Sequence, residues 1–309
     1  MMIITDSHSL HEERLVATIG FFDGVHLGHR HLIDEMRELA RRKGLPAAVI
    51  TFPVHPRVVL QSHYQPKLLN SYQEKLEHLA STGIDYCIVM DFTSALAQLS
   101  AEQFIREVLK QHYHVETLLV GYDHRFGRDR SDGFEQYVEY GAACGMQVVK
   151  AGSLVKEQTT VSSSEIRRQL LQGKVEKAAA MLSYPYQIKG SIVDGYKVGR
   201  KLGFPTANIR LDEPFKVIPA FGVYAVKVAF DNRHYKGMLY VGNRPTFHDN
   251  DERVLEVNIL DFNEDIYNKE ITVSFLHYVR EDITFDSPEA LATQLIKDRA
   301  TVNELLQYA

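Results

Sequence analysis

Long apolar runs, paired cysteines and any excess of positive charge are all missing from this chain of 309 residues. No stretch approaches the roughly 20 apolar residues that a membrane span needs, so no membrane association is expected. The start, Met1-Met2-Ile3-Ile4-Thr5-Asp6, has neither a basic segment nor an apolar core behind it. No secretory signal is therefore read, and the expected location is cytoplasmic. Cys87 lies in an apolar run and Cys144 among alanines. Both read as small core residues in a reducing compartment, which excludes a disulfide framework. The net charge of −5 argues against a nucleic-acid partner, whose phosphates favour a basic surface. Low-complexity segments and long linkers are also lacking, and nothing in the pattern specifies an oligomeric state.

What is present is the composition of a globular protein, 45% hydrophobic and 24% charged, with length enough for two domains. Two rhythms run along it. Up to about residue 150, short β-like runs alternate with helical patterns. The strands are expected over 15–21, 47–52, 86–90, 118–122 and 147–151, the helices over 31–42, 72–81, 101–111 and 134–143. Repeated βα units predict a parallel sheet covered by helices, with ligands at the carboxyl ends of its strands. Two short helices, 164–171 and 175–182, come next. Beyond Pro185 come strands over 187–193, 223–230, 235–241, 254–260 and 271–279 without intervening helices, which predicts an antiparallel barrel or sandwich. A closing helix is expected with Ser287 as N-cap and Pro288 at its first position. The domain boundary is placed at 183/184.

Each rhythm carries one phosphate-handling signature. In the first, Gly20-Phe21-Phe22-Asp23-Gly24-Val25-His26-Leu27-Gly28-His29 reads as strand, tight turn and helix start. Gly28 permits close approach of a phosphate, and the helix N-terminus supplies free N–H groups and partial positive charge. His26 and His29 can donate to negative charge developing on a triphosphate, as nucleotidyl transfer requires. Ser163 and Arg167, in Val161-Ser162-Ser163-Ser164-Glu165-Ile166-Arg167, can hold departing pyrophosphate, or the serines serve only as an N-cap. Asp123 and Arg125, in Gly121-Tyr122-Asp123-His124-Arg125-Phe126-Gly127, come after a strand and so belong to the same rim. A metal cluster of His26, His29 and His31 is the competing reading, and it lacks a completing cysteine or carboxylate.

In the second, Gly199-Arg200-Lys201-Leu202-Gly203-Phe204-Pro205-Thr206-Ala207-Asn208 cannot be an ordinary helix or strand. Lys201 and Arg200 bring positive charge between Gly199 and Gly203. Thr206 and Asn208 present oxygen atoms on one side of extended backbone, suited to Mg²⁺ carrying ATP phosphates. Phosphoryl transfer to a hydroxyl also wants a carboxylate to take the proton. Glu256, which lies with Asn258 off the face shared by Leu255, Val257 and Ile259, is the candidate; a solvated outer-face glutamate is the alternative. Asn243, in the Gly242–Phe247 turn, is a candidate polar contact, and Arg280 either approaches a ring system or phosphate or lies on the surface.

Taken together these residues resemble the bacterial bifunctional riboflavin kinase/FMN adenylyltransferase family, also called FAD synthetase, over nearly the whole chain. The resemblance includes Phe22–His29, Thr51-Phe52 with His55-Pro56, Gly121–Gly127, Ser162-Ser163 to Arg167, and Gly203–Asn208. It continues through Gly222-Val223-Tyr224, Arg244–Phe247, Leu255-Glu256, Asp261-Phe262 and Tyr267. The HxGH element is shared with many nucleotidyltransferases; Gly203-Phe204-Pro205-Thr206-Ala207-Asn208 is far more specific. The resemblance implies a Rossmann-like nucleotidyltransferase domain and a six-stranded riboflavin-kinase barrel. It implies that the second domain phosphorylates riboflavin with ATP and Mg²⁺, Thr206 and Asn208 holding the metal and Glu256 activating the hydroxyl. It implies that the first transfers AMP from a second ATP to FMN, with His26 and His29 stabilising the triphosphate. Flavin contacts are assigned to Arg280 and Asn243, and nucleotide contacts to Gly20, Phe22, Asp23, Gly28, Asp123, Arg125, Gly199, Lys201 and Gly203. Departures are His124 for a frequent Phe, Val54 for Pro, and Ser183-Tyr184 for Gly-Arg. A chain with one active domain, a flavin carrier without turnover, and a tRNA-charging enzyme are the competing readings; the last lacks a basic surface and an anticodon-binding region.

Overall fold

The computed structural model describes residues 1–5, 13–61, 63–121, 125–128, 131–152, 161–194, 203–243 and 253–307. They form two compact units, Met1–Ser162 and Ser163–Ala309.

The first unit is built on a six-stranded, wholly parallel sheet. Its strands are β1 (Met2–Ile4), β2 (Leu15–Ile19), β3 (Ala47–Thr51), β4 (Tyr86–Val89), β5 (Val115–Val120) and β6 (Gln147–Lys150), in the order β1-β4-β3-β2-β5-β6. Chain direction across the sheet reverses at β2, which has β3 on one side and β5 on the other. This is a topological switch point, and the loop leaving β2 opens there. Every residue of β2 and β3 is buried, as continuous apolar strands covered on both faces should be. One face packs Val16, Val49 and Leu119 under α1 (Leu27–Lys43) and α3 (Tyr72–Ala80) through Ile33, Met36, Leu76 and Leu79. The other packs Ala17, Ile50 and Leu118 against Phe104, Ile105, Leu109 and Tyr137.

Besides two short helices that were not expected, Pro56–Leu60 and Ser94–Ala97, two elements depart from the sequence reading. The edge strand β1 was not expected; three residues are too few to show a period. The helix expected over 101–111 is α-helical only over Ala101–Gln103 and continues as a π-helix over Phe104–His112. Its wider turn lets Phe104, Leu109 and Tyr113, five and four residues apart, all reach the core.

The second unit opens with α7 (Ser163–Leu171) and α8 (Val175–Leu182), α2 (Pro56–Leu60), α4 (Ser94–Ala97), α5 (Ala101–Gln103) and α6 (Phe134–Ala143) being the remaining helices of the first. Both precede the 183/184 boundary read from the sequence, yet both are tied to the barrel side of it. Glu176 Oε1 accepts from the Tyr278 N–H at 3.1 Å, and the Leu170 carbonyl from the Ala220 N–H at 3.0 Å. Ser183 ends α8 at φ 68° and ψ 14°, a left-handed C-cap that favours glycine. Ser183→Gly is expected to raise the stability of this unit by about 0.5–1 kcal/mol, seen as a higher Tm with unchanged catalysis.

Strands β7 (Gln187–Val193), β8 (Ala207–Leu211), β9 (Gly222–Phe230), β10 (Arg233–Asn243), β11 (Arg253–Ile259) and β12 (Glu270–Arg280) close into an antiparallel barrel, β10-β11-β8-β7-β12-β9. β8 is the strand the sequence reading did not place. Its residues Ala207-Asn208-Ile209-Arg210-Leu211 do alternate apolar and polar, but the run is short and the sequence reading includes its first two residues in the glycine- and proline-punctuated loop before it. The closing helix α9 (Pro288–Leu305) starts as expected, with Ser287 Oγ accepting from the Ala290 N–H at 3.1 Å. It docks Val302 and Leu306 on Val223, Ala225 and Met238 of the barrel's outer wall.

Candidate active sites

At the end of β2 the chain turns sharply. Phe22 at φ 56°, Gly24 at φ 85° and the β-branched Val25 at φ 36° all take positive φ. Such backbone is held only where its surroundings over-determine it. The surroundings are visible: Phe22 and Val25 are buried in the core beneath α1. The Asp23 carboxylate is turned inward and accepts from the Leu69 N–H at 2.9 and 3.2 Å and the Asn70 N–H at 3.2 Å. Asp23, read from the sequence as a nucleotide contact, is thus a loop anchor. Gly20 leaves room for the Phe22 ring, since a Cβ there would sit 3.1 Å from it.

The turn delivers His26 to the N-cap of α1, where Nδ1 accepts from the His29 N–H at 3.3 Å. The imidazoles of His26 and His29 stack at 3.6 Å with an interplanar angle of 15°, and the Phe22 ring backs His29 edge-on at 5.1 Å. Gly28 makes this stack possible, because a Cβ there would lie 3.2 Å from His26 Cε1. Two imidazoles therefore stand at a helix N-terminus on the carboxyl edge of a parallel sheet, where an anion is favoured. His31, the third histidine of the run, pairs instead with Glu35 at 3.1 Å. Arg125 comes after β5 on the same rim, while Asp123 and His124 lie outside the described residues. Ser163 and Arg167 belong to α7, in the second unit.

In the barrel, antiparallel register sets the second site. Val223, Tyr240, Glu256 and Asn208 are direct partners across β9, β10, β11 and β8, and Ala225, Met238 and Asn258 form the neighbouring row. Direct partners share a face, so an apolar-to-polar row crosses the outer wall. Glu256 is half-buried on it, which sets aside the solvated outer-face reading. Thr206 donates its hydroxyl to Glu256 Oε2 at 3.1 Å. Asn258, absent from the sequence-derived site, donates Nδ2–H to the Pro205 carbonyl at 2.7 Å and so fixes the loop that carries Thr206. Strand alternation had placed it beside Glu256, but its partner lies 53 positions away and leaves no local signal.

Two cavities meet at Thr206. One, of about 300 Å³, is lined by Phe204, Met238, Tyr240, Glu256, Arg280 and Phe285. The other, of about 370 Å³, is lined by Pro205, Phe262, Asp265, Ile266 and Tyr267. Thr206 lines both. The Tyr240 hydroxyl donates to Asp282 at 3.2 Å, and burial together with that carboxylate pushes its pKa up to about 12. Arg280 does line the first cavity, but its guanidinium is committed to Asp298 of α9, at 2.8 Å for the closest pair. Asp298 is only 2% exposed, so the pair pins α9 beside the cavity. Asn243 sits exposed at the end of β10 and lines neither cavity. Gly203 takes φ 82° at the loop's entry; Gly199 and Lys201 lie outside the described residues.

A parallel-sheet unit with paired histidines at a helix start, joined to a barrel with a carboxylate lining one of two cavities that share Thr206, defines a two-site nucleotide-dependent transferase. Residues 8–165 match the FAD synthetase family and residues 182–306 the riboflavin kinase family. The chain belongs to the bifunctional riboflavin kinase/FMN adenylyltransferase family. It is 38% identical over 284 residues to such a protein of Listeria monocytogenes, covering 92% of this chain and 90% of that one. It is 34% identical over 308 residues to the Escherichia coli protein of the same description, covering 98% and 97%. A crystal structure described as a macrolide-efflux protein from Streptococcus pneumoniae superposes with a TM-score of 0.88 at 30% identity, covering 98% of each chain. Among the described residues no helix is long and apolar enough to cross a membrane.

Proposed function

We propose that the barrel unit phosphorylates riboflavin to FMN with ATP, and that the parallel-sheet unit adenylylates FMN to FAD with release of pyrophosphate. The observation that carries the reading is the Thr206–Glu256 contact where two cavities adjoin. The cavity lined by Phe204, Met238 and Phe285 suits an apolar flavin ring, with Glu256 at its polar end to take the proton of the attacking hydroxyl. The cavity beyond Thr206 takes the nucleotide. The donor set fits Mg²⁺, because Thr206 and Asn208 offer hard oxygens; there the ion would neutralise charge on the ATP phosphates. The residues' own part is to align hydroxyl and phosphate, Asn258 keeping the Thr206 loop in place.

At the other site His26 and His29 donate to the triphosphate at the positive end of α1. Ser163 and Arg167 are assigned to the departing pyrophosphate on their pattern, hydroxyl and guanidinium one turn apart. The adenylyltransferase is assigned to residues 1–183 and the kinase to 184–309. Both reactions are direct displacements and need no covalent enzyme intermediate. The location assigned is the cytoplasm, in keeping with the free thiols of Cys87 and Cys144. Chromatography of flavins during incubation with riboflavin, ATP and Mg²⁺ tests this, with FMN expected first and FAD after it. FMN alone would leave only the kinase, and bound but unconverted flavin would make the chain a carrier.

A further inference from the structure

A lysine is buried beneath the first site with no ion-pair partner among the described residues. Lys75 is 2% exposed, on the face of α3 that also carries Leu76 and Leu79 into the core. Its ammonium donates to the Phe52 carbonyl, just past β3, at 2.6 Å. Among the described residues that is its one hydrogen-bond acceptor. The nitrogen also lies 4.1 Å from the centroid of the Phe21 ring and 5.9 Å from that of Tyr72. Phe21 in turn packs edge-on against His55 at 4.7 Å. The titratable groups facing Lys75 come from two further elements: Asp23 in the turn after β2 and Cys87 on β4.

This arrangement opposes stability at neutral pH. Desolvation outweighs the attraction of Asp23 and Cys87 and brings the ammonium down to about 8, while burial pushes the Cys87 thiol up to about 11. A lysine whose folded pKa is lowered binds fewer protons in the folded than in the unfolded chain between about 8 and its ordinary 10.5. Stability from this group therefore rises with pH through that window and is at its lowest below pH 8. A methionine would fill the same space without that penalty. What the ammonium supplies is a junction: it joins the carbonyl after β3 to the aromatic ring after β2 and the field of Asp23, the last two being parts of the strained turn that presents His26.

We infer that Lys75 is a positioning residue for FMN adenylylation, holding the Phe21–Asp23 turn and the Phe52 segment in register so that His26 and His29 face the triphosphate. The inference rests on the adenylyl-transfer reading of this unit. It places no atom of Lys75 on substrate; the residue acts through the turn.

The test uses the full chain, with both reactions followed in one preparation. Lys75→Met is expected to lower kcat for FAD formation from FMN and ATP by about 10–100-fold, with FMN formation from riboflavin unchanged. Its Tm at pH 7 should equal or exceed the parent's. The parent's FAD formation should fall on an alkaline limb near pH 8 that Lys75→Met lacks, while the kinase reaction of the same molecules shows no such difference. Phe21→Leu, which keeps bulk and removes the ring, should reproduce part of the defect and covers the case in which Lys75→Met folds poorly. Full FAD formation in either variant, or a loss matched by a lower Tm at pH 7 and an unaltered pH profile, overturns the inference. A parent chain that makes no FAD refutes the underlying reading instead, so the two failures are distinct.

Discussion

Glu256→Gln is expected to lower riboflavin phosphorylation by about 10³-fold and to leave adenylylation of supplied FMN at the parent rate. The magnitude is that of a general base, about 10²–10⁴. Glutamine keeps the volume and an oxygen able to accept the Thr206 hydroxyl, so the 3.1 Å contact survives and the loop stays in place. What is lost is the capacity to take a proton. Glu256→Ala removes the acceptor as well and should also weaken ATP binding, as the Thr206 loop loses one of its ties; the tie from Asn258 to Pro205 remains. The comparison of kcat and KM in the two variants thus separates proton acceptance from loop positioning. Both reactions are measured in one preparation, one with riboflavin and ATP, the other with FMN and ATP. Equal loss of both would mean that the whole chain has unfolded, and undiminished phosphorylation would take Glu256 out of the mechanism.

Glu256 also shows how far the sequence alone could be read. Alternation put Glu256 and Asn258 on one strand face, but alternation cannot say whether that face meets solvent or another element. What covers it here is α9, whose own start at Ser287 and Pro288 was legible from local capping rules. The pairing of that helix with this wall was not, because it depends on the Arg280–Asp298 ion pair and on Val302 and Leu306 meeting Val223 and Met238. Arg280 reads from the sequence as a neighbour of a ring system or phosphate, or as a surface arginine; its guanidinium is committed to Asp298 of the helix. Asp23 misled for the opposite reason: a carboxylate in a phosphate loop reads as chemistry, while its partners at Leu69 and Asn70, more than forty residues on, make it an anchor. Lys75 did carry a signal, a charge at helical spacing from Tyr72 and Leu79 in α3. The parallel sheet and the barrel were legible because both rest on repeated local rhythm; β8, paired with β7 and β11, alternates too over 207–211, but its first residues read as part of the phosphate loop.

His29→Ala is expected to lower FAD formation by about 10²–10³, the effect of removing one donor aimed at developing charge, and to let FMN accumulate from riboflavin. His26 demands a different substitution, because its ring serves two purposes. Its Nδ1 accepts the His29 N–H as the cap of α1, so in the capped state that nitrogen carries no proton and the donor left to face a phosphate is Nε2–H. His26→Ala therefore removes the cap as well as the donor and costs about 1 kcal/mol of stability. Asparagine is among the best N-cap residues and keeps the helix start without the imidazole. His26→Asn is expected to keep the parent's Tm and to lose FAD formation to the same degree as His29→Ala. The rings stack at 3.6 Å, and on the proposed reading both donate to one triphosphate, so the double variant is expected to lose much less than the product of the two single effects. Multiplicative losses would mean that the histidines act on separate steps. An active His26→Asn variant would reduce His26 to a helix cap, with His29 alone at the triphosphate.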